Sequence, residues 1–206
     1  MNPVRYIRTY APYVIATMLL APLFGLDTAG AQTRQIADTF TATTADMTPA
    51  GVTLRIQVTD WSDDDARAAV VSTLAREDAP GSLTRLPTLG YVWTSRGGVG
   101  YALKYAHQVP TSAGGERITV VTDRPVGAYE FRPWAVGSEP ATNAAAYSVI
   151  ELYLDDEGSG VGTMSLAAEI VVDADAQTVS LARGDPAINV LIDAMREPKP
   201  YWADGS

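Results

Sequence analysis

From residue 38 onward, apolar and polar positions alternate with a period of two in one short run after another. Each run ends in a break rich in Gly, Pro, Ser or Asp. That period sends successive side chains to opposite faces, the pattern of a strand. Residues 38–44 are rich in β-formers and predict a first strand. After the turn Thr48-Pro49-Ala50-Gly51, Val52, Leu54, Ile56 and Val58 alternate with Thr53, Arg55, Gln57 and Thr59, a half-buried strand. Residues 89–94 and 101–108 flank a glycine-rich hairpin turn at 96–100. Residues 112–115 turn the chain into a strand over 117–122, which stops at Asp123-Arg124-Pro125-Val126-Gly127, and 137–141 is a loop around Pro140. Residues 147–154 and 163–172 read as a long hairpin around the acidic turn 155–160. Residues 173–176 turn into 178–181, and 188–192 reads as a last strand or a short helix.

One stretch has another period. Over 62–77, Ala66, Ala69, Val70, Thr73 and Leu74 share one helical face. Ser62 is the expected cap, and Asp63, Asp64 and Asp65 occupy the first turn, where the helix dipole favours anions. About nine short strands and one helix make the chain mainly β, and predict an antiparallel β-sandwich or barrel.

The first 31 residues follow a different logic. Arg5 and Arg8 precede an uncharged run centred on residues 13–21, and Ala29-Gly30-Ala31 is a small-x-small cleavage site. These are the three parts of a secretory signal peptide, with the mature chain starting at Gln32. The alternative, an uncleaved anchor, is weakened by Pro12, Pro22 and Gly25 within the run. The expected organisation is a leader over 1–31, a flexible lead-in over 32–37, a single β-rich domain over 38–196 and a tail over 197–206. The address is the periplasm or the medium.

Charge and composition narrow the functions. The chain carries a net charge of −9, and its leader is itself positive, so the mature surface is more acidic still. Such a surface repels phosphate backbones, so no nucleic-acid partner is expected. No segment after the leader is long and apolar enough for a membrane-spanning helix. Cysteine is absent, which removes disulfides, lipid attachment at a cysteine, thiol catalysis and thiolate metal sites. Only Lys104 and Lys199 are lysines and Ala is abundant, a bias of GC-rich bacterial genes.

Catalytic motifs fail in turn. His107 is the only histidine, so no other residue could serve a Ser-His-Asp triad. Adjacent aspartates 63–65 fan out around a helix and cannot converge on one ion. The run from Asp155 lacks the twelfth-position Glu of a calcium loop, since Leu166 stands there. Residues 96–100 lack the Lys and Ser/Thr of a phosphate loop, and neither Gly-x-Ser-x-Gly nor Ser-x-x-Lys occurs. No cofactor and no metal are expected.

Two arrangements are less ordinary. Tyr101, Leu103, Tyr105 and His107 alternate onto one predicted face, either an aromatic groove with a ligand-contacting imidazole or plain packing with a bonded histidine. In 147–154, Ile150, Leu152 and Leu154 form one apolar face, while Tyr147, Val149, Glu151 and Tyr153 form another. A strand apolar on both faces is central in a sandwich, closed around a lined interior, or covered by the helix. Glu151 on such a face needs a cation or several donors. Arg117, Arg124 and Lys104 are the candidates, with Arg124 first. The candidate ligand-binding residues are therefore Tyr101, Tyr105, His107, Arg124, Tyr147, Glu151 and Tyr153.

Several segments also carry a resemblance. They are Trp61-Ser62 before an acidic helix, Arg-Ile-Thr-Val-Val-Thr-Asp-Arg-Pro at 117–125, Val-Ile-Glu-Leu-Tyr-Leu at 149–154, and the Gly-rich turn before Gly-Thr-Met-Ser-Leu-Ala at 162–167. Together they resemble a group of secreted bacterial proteins of unknown function. The resemblance covers most of the mature chain and implies a single secreted domain, with no catalytic or binding residue to carry over. The expected function is a non-catalytic binding or structural envelope protein holding an apolar or amphiphilic small molecule, or a protein partner. The alternative is a carboxylate-dependent hydrolase acting on a glycan.

Overall fold

The computed structural model describes residues 35–76, 82–112, 114–129, 134–136, 139–140, 147–165, 170–184 and 188–199. The expected leader and most of the expected tail lie outside them. The chain is mainly β, with 49% strand and 11% helix.

Seven strands follow one another round a barrel: β1 (Asp38–Thr44), β2 (Thr53–Val58), β3 (Gly90–Thr94), β4 (Tyr101–Pro110), β5 (Glu116–Thr122), β6 (Val149–Leu154) and β7 (Ser159–Ser165). Strands β8 (Ile170–Asp173) and β9 (Thr178–Leu181) pair only with each other. Then β10 (Ile188–Arg196) pairs with β7 on one side and β1 on the other, closing eight antiparallel strands. Closure removes the exposed sheet edges that an open sheet must protect. Met47–Thr48, Ala135–Val136 and Glu139–Pro140 form a separate three-stranded set of two-residue segments, so Pro140, expected in a loop, ends one of them.

The period-two pattern explains the barrel wall. In β2, Leu54, Ile56 and Val58 are buried, while Thr53 and Arg55 are exposed. Phe40, Leu54, Ile56, Leu103, Ile118, Ile150, Leu152, Met164 and Leu191 are all buried in one core cluster. An eight-stranded barrel is just wide enough for such side chains to fill it. The interior is therefore a packed core. At Gly90, φ is +148° and an added Cβ would sit 2.0 Å from the Gln57 carbonyl oxygen, so this crossing of β2 and β3 admits only glycine.

A second core lies outside the wall. Helix α1 (Asp64–Ala75) and the β8–β9 hairpin cover the outer faces of β4, β5 and β6. Val70, Val71, Leu83, Tyr105, Val121, Val149, Val179 and Leu181 pack there. This is why β6 is apolar on both faces: one face fills the barrel, and the other lies under the cover.

Two local expectations are corrected and one open reading is decided. Asp63, not Ser62, caps α1, accepting from the Ala66 N–H at 2.8 Å. Ser62 instead ties the helix start to β4, its Oγ accepting from the Ala106 N–H at 2.9 Å. The single strand expected at 163–172 is divided between β7 and β8, with residues 166–169 outside the described set. And 188–192, left between strand and helix, is the start of a nine-residue strand.

One mouth of the barrel is closed by charge. Arg196 lies over the Phe40 ring at 4.9 Å, bonds Asp38 at 2.6 Å, and reaches Glu116 on β5. The Trp61 indole N–H donates to the other Asp38 oxygen at 3.1 Å, and its ring meets Phe40 edge-on. Glu197, expected at the start of the tail, is bonded to Arg55 at 2.9 Å, and its N–H donates to the Thr39 carbonyl.

Candidate functional site

The expectation that Tyr101, Leu103, Tyr105 and His107 share one face fails at Lys104. Across β4 and β5, Leu103 pairs with Thr122 and Tyr105 with Val121, so Lys104 is an extra residue. A bulge reverses the facing of everything beyond it. Tyr101 and Leu103 join the barrel core, while Tyr105 belongs to the outer one. The bulge persists because the Lys104 ammonium has acceptors: Leu86 O at 2.8 Å, Thr88 Oγ1 at 2.9 Å and Thr84 O at 3.4 Å. Burial pulls its pKa below the ordinary value, with Asp123 opposing that shift.

Past the bulge, register builds a polar row straight across the outer wall. His107 on β4 pairs with Thr119 on β5, Thr119 with Glu151 on β6, Glu151 with Thr163 on β7, and Thr163 with Val190 on β10. The adjoining row sets Arg117 beside Tyr153 and Tyr153 beside Val161. Tyr105, His107, Tyr147, Glu151 and Tyr153 thus come to one side of the barrel. Tyr101 and Arg124 do not. The Tyr101 hydroxyl accepts from the Gly127 N–H at 2.9 Å and its ring stacks on Tyr129. Arg124 bonds Asp123 and sits 5.1 Å over the Tyr129 ring. Neither Arg124 nor Lys104 serves as the cation for Glu151; both are committed elsewhere.

Glu151 is 3% exposed. One carboxylate oxygen accepts from the Leu181 N–H of β9 at 3.3 Å, the other from the Tyr153 hydroxyl at 2.6 Å. The Tyr105 hydroxyl donates to the Gln177 carbonyl in the hairpin turn at 3.4 Å. Two wall side chains therefore hold the β8–β9 cover. Burial first, then the bond to Glu151, pushes the Tyr153 phenol up to about 12. Burial also raises Tyr105 and Tyr147.

Between cover and wall is a half-open recess of about 570 Å³, lined by Arg117, Glu151, Tyr153, Thr163, Val171, Ser180, Leu181, Arg183, Gly184 and Ile188. A second recess of about 550 Å³ lies at the barrel mouth near Arg196 and the 155–158 turn. Three of its acids are occupied: Glu116 with Arg196, Glu197 with Arg55, and Asp155 with the N–H groups of Glu157 and Ser159. The outer recess is the better candidate site, because it joins apolar lining to convergent polar groups.

No known protein family, curated protein or solved structure matches this chain.

The site is thus read from its own chemistry. Among its residues, Arg183, Leu181, Ser180, Val171 and Ile188 escaped sequence reasoning, because they come from the hairpin and from β10, distant in the chain from β6. The available signal was Arg183 two residues past an apolar strand end, which alone points nowhere.

Burial lowers the His107 pKa below its ordinary 6.5, and Arg67 and Arg117 add to the shift. The ring is neutral at pH 7, and its Nδ1 is 3.3 Å from the Tyr105 hydroxyl. As the sole histidine, it gives one unambiguous NMR titration. The expected midpoint lies below 6.5; a midpoint at or above that value would place the ring in solvent away from both arginines.

Proposed function

We propose that this is a secreted, non-catalytic binding protein that takes a small amphiphilic molecule at the outer recess between the β8–β9 hairpin and the barrel wall. One observation carries the reading: a half-open recess in which Val171, Leu181 and Ile188 stand beside the buried Glu151 and two arginines. The barrel interior is filled by side chains, which turns the search for a ligand to the outside. The leader motif supports delivery to the envelope.

Native mass spectrometry of protein from its own host tests both parts. The chain mass should begin at Gln32, and the spectrum should carry the increment of one small molecule. Ile188→Glu should abolish that increment while leaving the fold intact by circular dichroism. A ligand retained equally by the Ile188→Glu protein would move the site elsewhere, and a chain beginning at Met1 in the membrane fraction would overturn the secretion reading.

A further inference from the structure

From the outer recess we infer that its ligand carries a carboxylate headgroup, held by Arg117 and Arg183 with its apolar tail against Val171, Leu181 and Ile188. This rests on the proposed binding role and deepens it. The reason lies in how the charged groups are used. Among the described residues, Arg55, Arg67, Arg124, Arg196 and Lys199 join ion pairs, whereas Arg117 and Arg183 do not. Both guanidiniums line the recess and act electrostatically on Tyr153.

Glu151 is the one carboxylate among the described lining residues, and it is turned inward. Each of its oxygens already accepts a bond, one from Leu181 and one from Tyr153. It balances one arginine and anchors the cover; it is not presented to a ligand. The described lining residues carry one net positive charge, on a chain whose overall charge is −9. One negative charge completes it. The hydroxyls of Thr163 and Ser180 add donors beside the arginines. A guanidinium meets a planar carboxylate with two parallel charge-assisted N–H bonds; an ammonium headgroup has no acceptor for them, and the neutral hydroxyls of a sugar accept them more weakly.

A headgroup series with a common tail tests this. Decanoate, decyltrimethylammonium and decyl maltoside are titrated below their micelle concentrations into the mature protein at low salt. Decanoate should bind about tenfold or more tightly than the other two. Arg117→Gln and Arg183→Gln should each weaken decanoate by about five- to tenfold and leave decyl maltoside unchanged. Added salt should weaken decanoate alone.

Equal binding of all three probes, with no effect of either arginine, would keep the recess as an amphiphile site and overturn the carboxylate assignment. Tightest binding of decyltrimethylammonium, lost in Glu151→Gln, would overturn it in favour of Glu151 as the anchor. Failure of all three to bind would overturn the binding role itself, and the headgroup with it. Circular dichroism of each variant separates a lost ligand from a lost fold.

Discussion

Glu151→Gln should lower the free energy of unfolding by about 2–3 kcal/mol in a denaturant melt. The amide keeps the volume of the carboxylate but presents a donor where one of two incoming donors now finds an acceptor. With the amide oxygen on the Leu181 N–H, the Tyr153 hydroxyl must turn from donor to acceptor and gives up a charge-assisted bond; with the amide reversed, the Leu181 N–H faces a donor. With Glu151 only 3% exposed, water cannot replace the missing acceptor cheaply. The two arginines of the recess also lose their nearby countercharge.

A spectroscopic signature accompanies the loss. Burial first, then the bond to Glu151 and its charge, push the Tyr153 phenol up to about 12 from an ordinary 10.0. In Glu151→Gln that late phenol should move toward 10, read by ultraviolet absorbance. A folded pKa raised above the unfolded one gives stability that is fully present below pH 10 and is lost as pH rises toward 12. The variant should lose less over that window than the parent does. A melt unchanged within about 0.5 kcal/mol would mean the carboxylate is solvated and the cover is held by other contacts.

Arg196→Ala should cost about 3–4 kcal/mol, the largest effect expected of any single charged residue here. The guanidinium closes the barrel mouth between Asp38 and Glu116 and lies on the Phe40 ring. Its removal leaves Asp38, itself only 7% exposed, with the Trp61 donor and a distant Lys199 at 4.0 Å. An uncompensated carboxylate near an apolar core is the costly product, more than the lost attraction. Asp38→Asn should therefore cost less in the Arg196→Ala background than alone, a non-additivity that a double-mutant cycle measures. A cost for Arg196→Ala below about 1 kcal/mol would place the cluster among ordinary exposed ion pairs.

Much of the fold is legible in the chain, because strand burial is a local property. In β2, alternation of Leu54, Ile56 and Val58 with Thr53, Arg55 and Gln57 survives into the wall unchanged. The two apolar faces of β6 also survive, with Glu151 and Tyr153 on the covered side. The bulge at Lys104 was not legible. Nothing in Tyr-Ala-Leu-Lys-Tyr-Ala-His breaks the alternation, and the extra residue is accommodated only because acceptors at 84, 86 and 88 arrive from elsewhere. That one insertion sends Tyr105 and His107 to the outer wall and leaves Tyr101 inside. The cation expected to pair with Glu151 is replaced by two neutral donors, the Leu181 N–H and the Tyr153 hydroxyl. Arg124 follows a strand end, where the chain turns back on Tyr129, whereas Arg117 pairs directly with Tyr153 through register.

By itself, the sequence determined what each segment could bury: the strand periods, the single capped helix, the acidic surface, the absence of thiol chemistry and the unusual second face of β6. These follow from side-chain chemistry and spacing within a few residues. The tertiary structure alone decided that the strands close as a barrel, that β10 joins β1, and that the β8–β9 hairpin covers the wall over Glu151. Those outcomes depend on pairings between segments far apart in the chain. Such pairings are selected by the burial they achieve jointly, and no single segment encodes them.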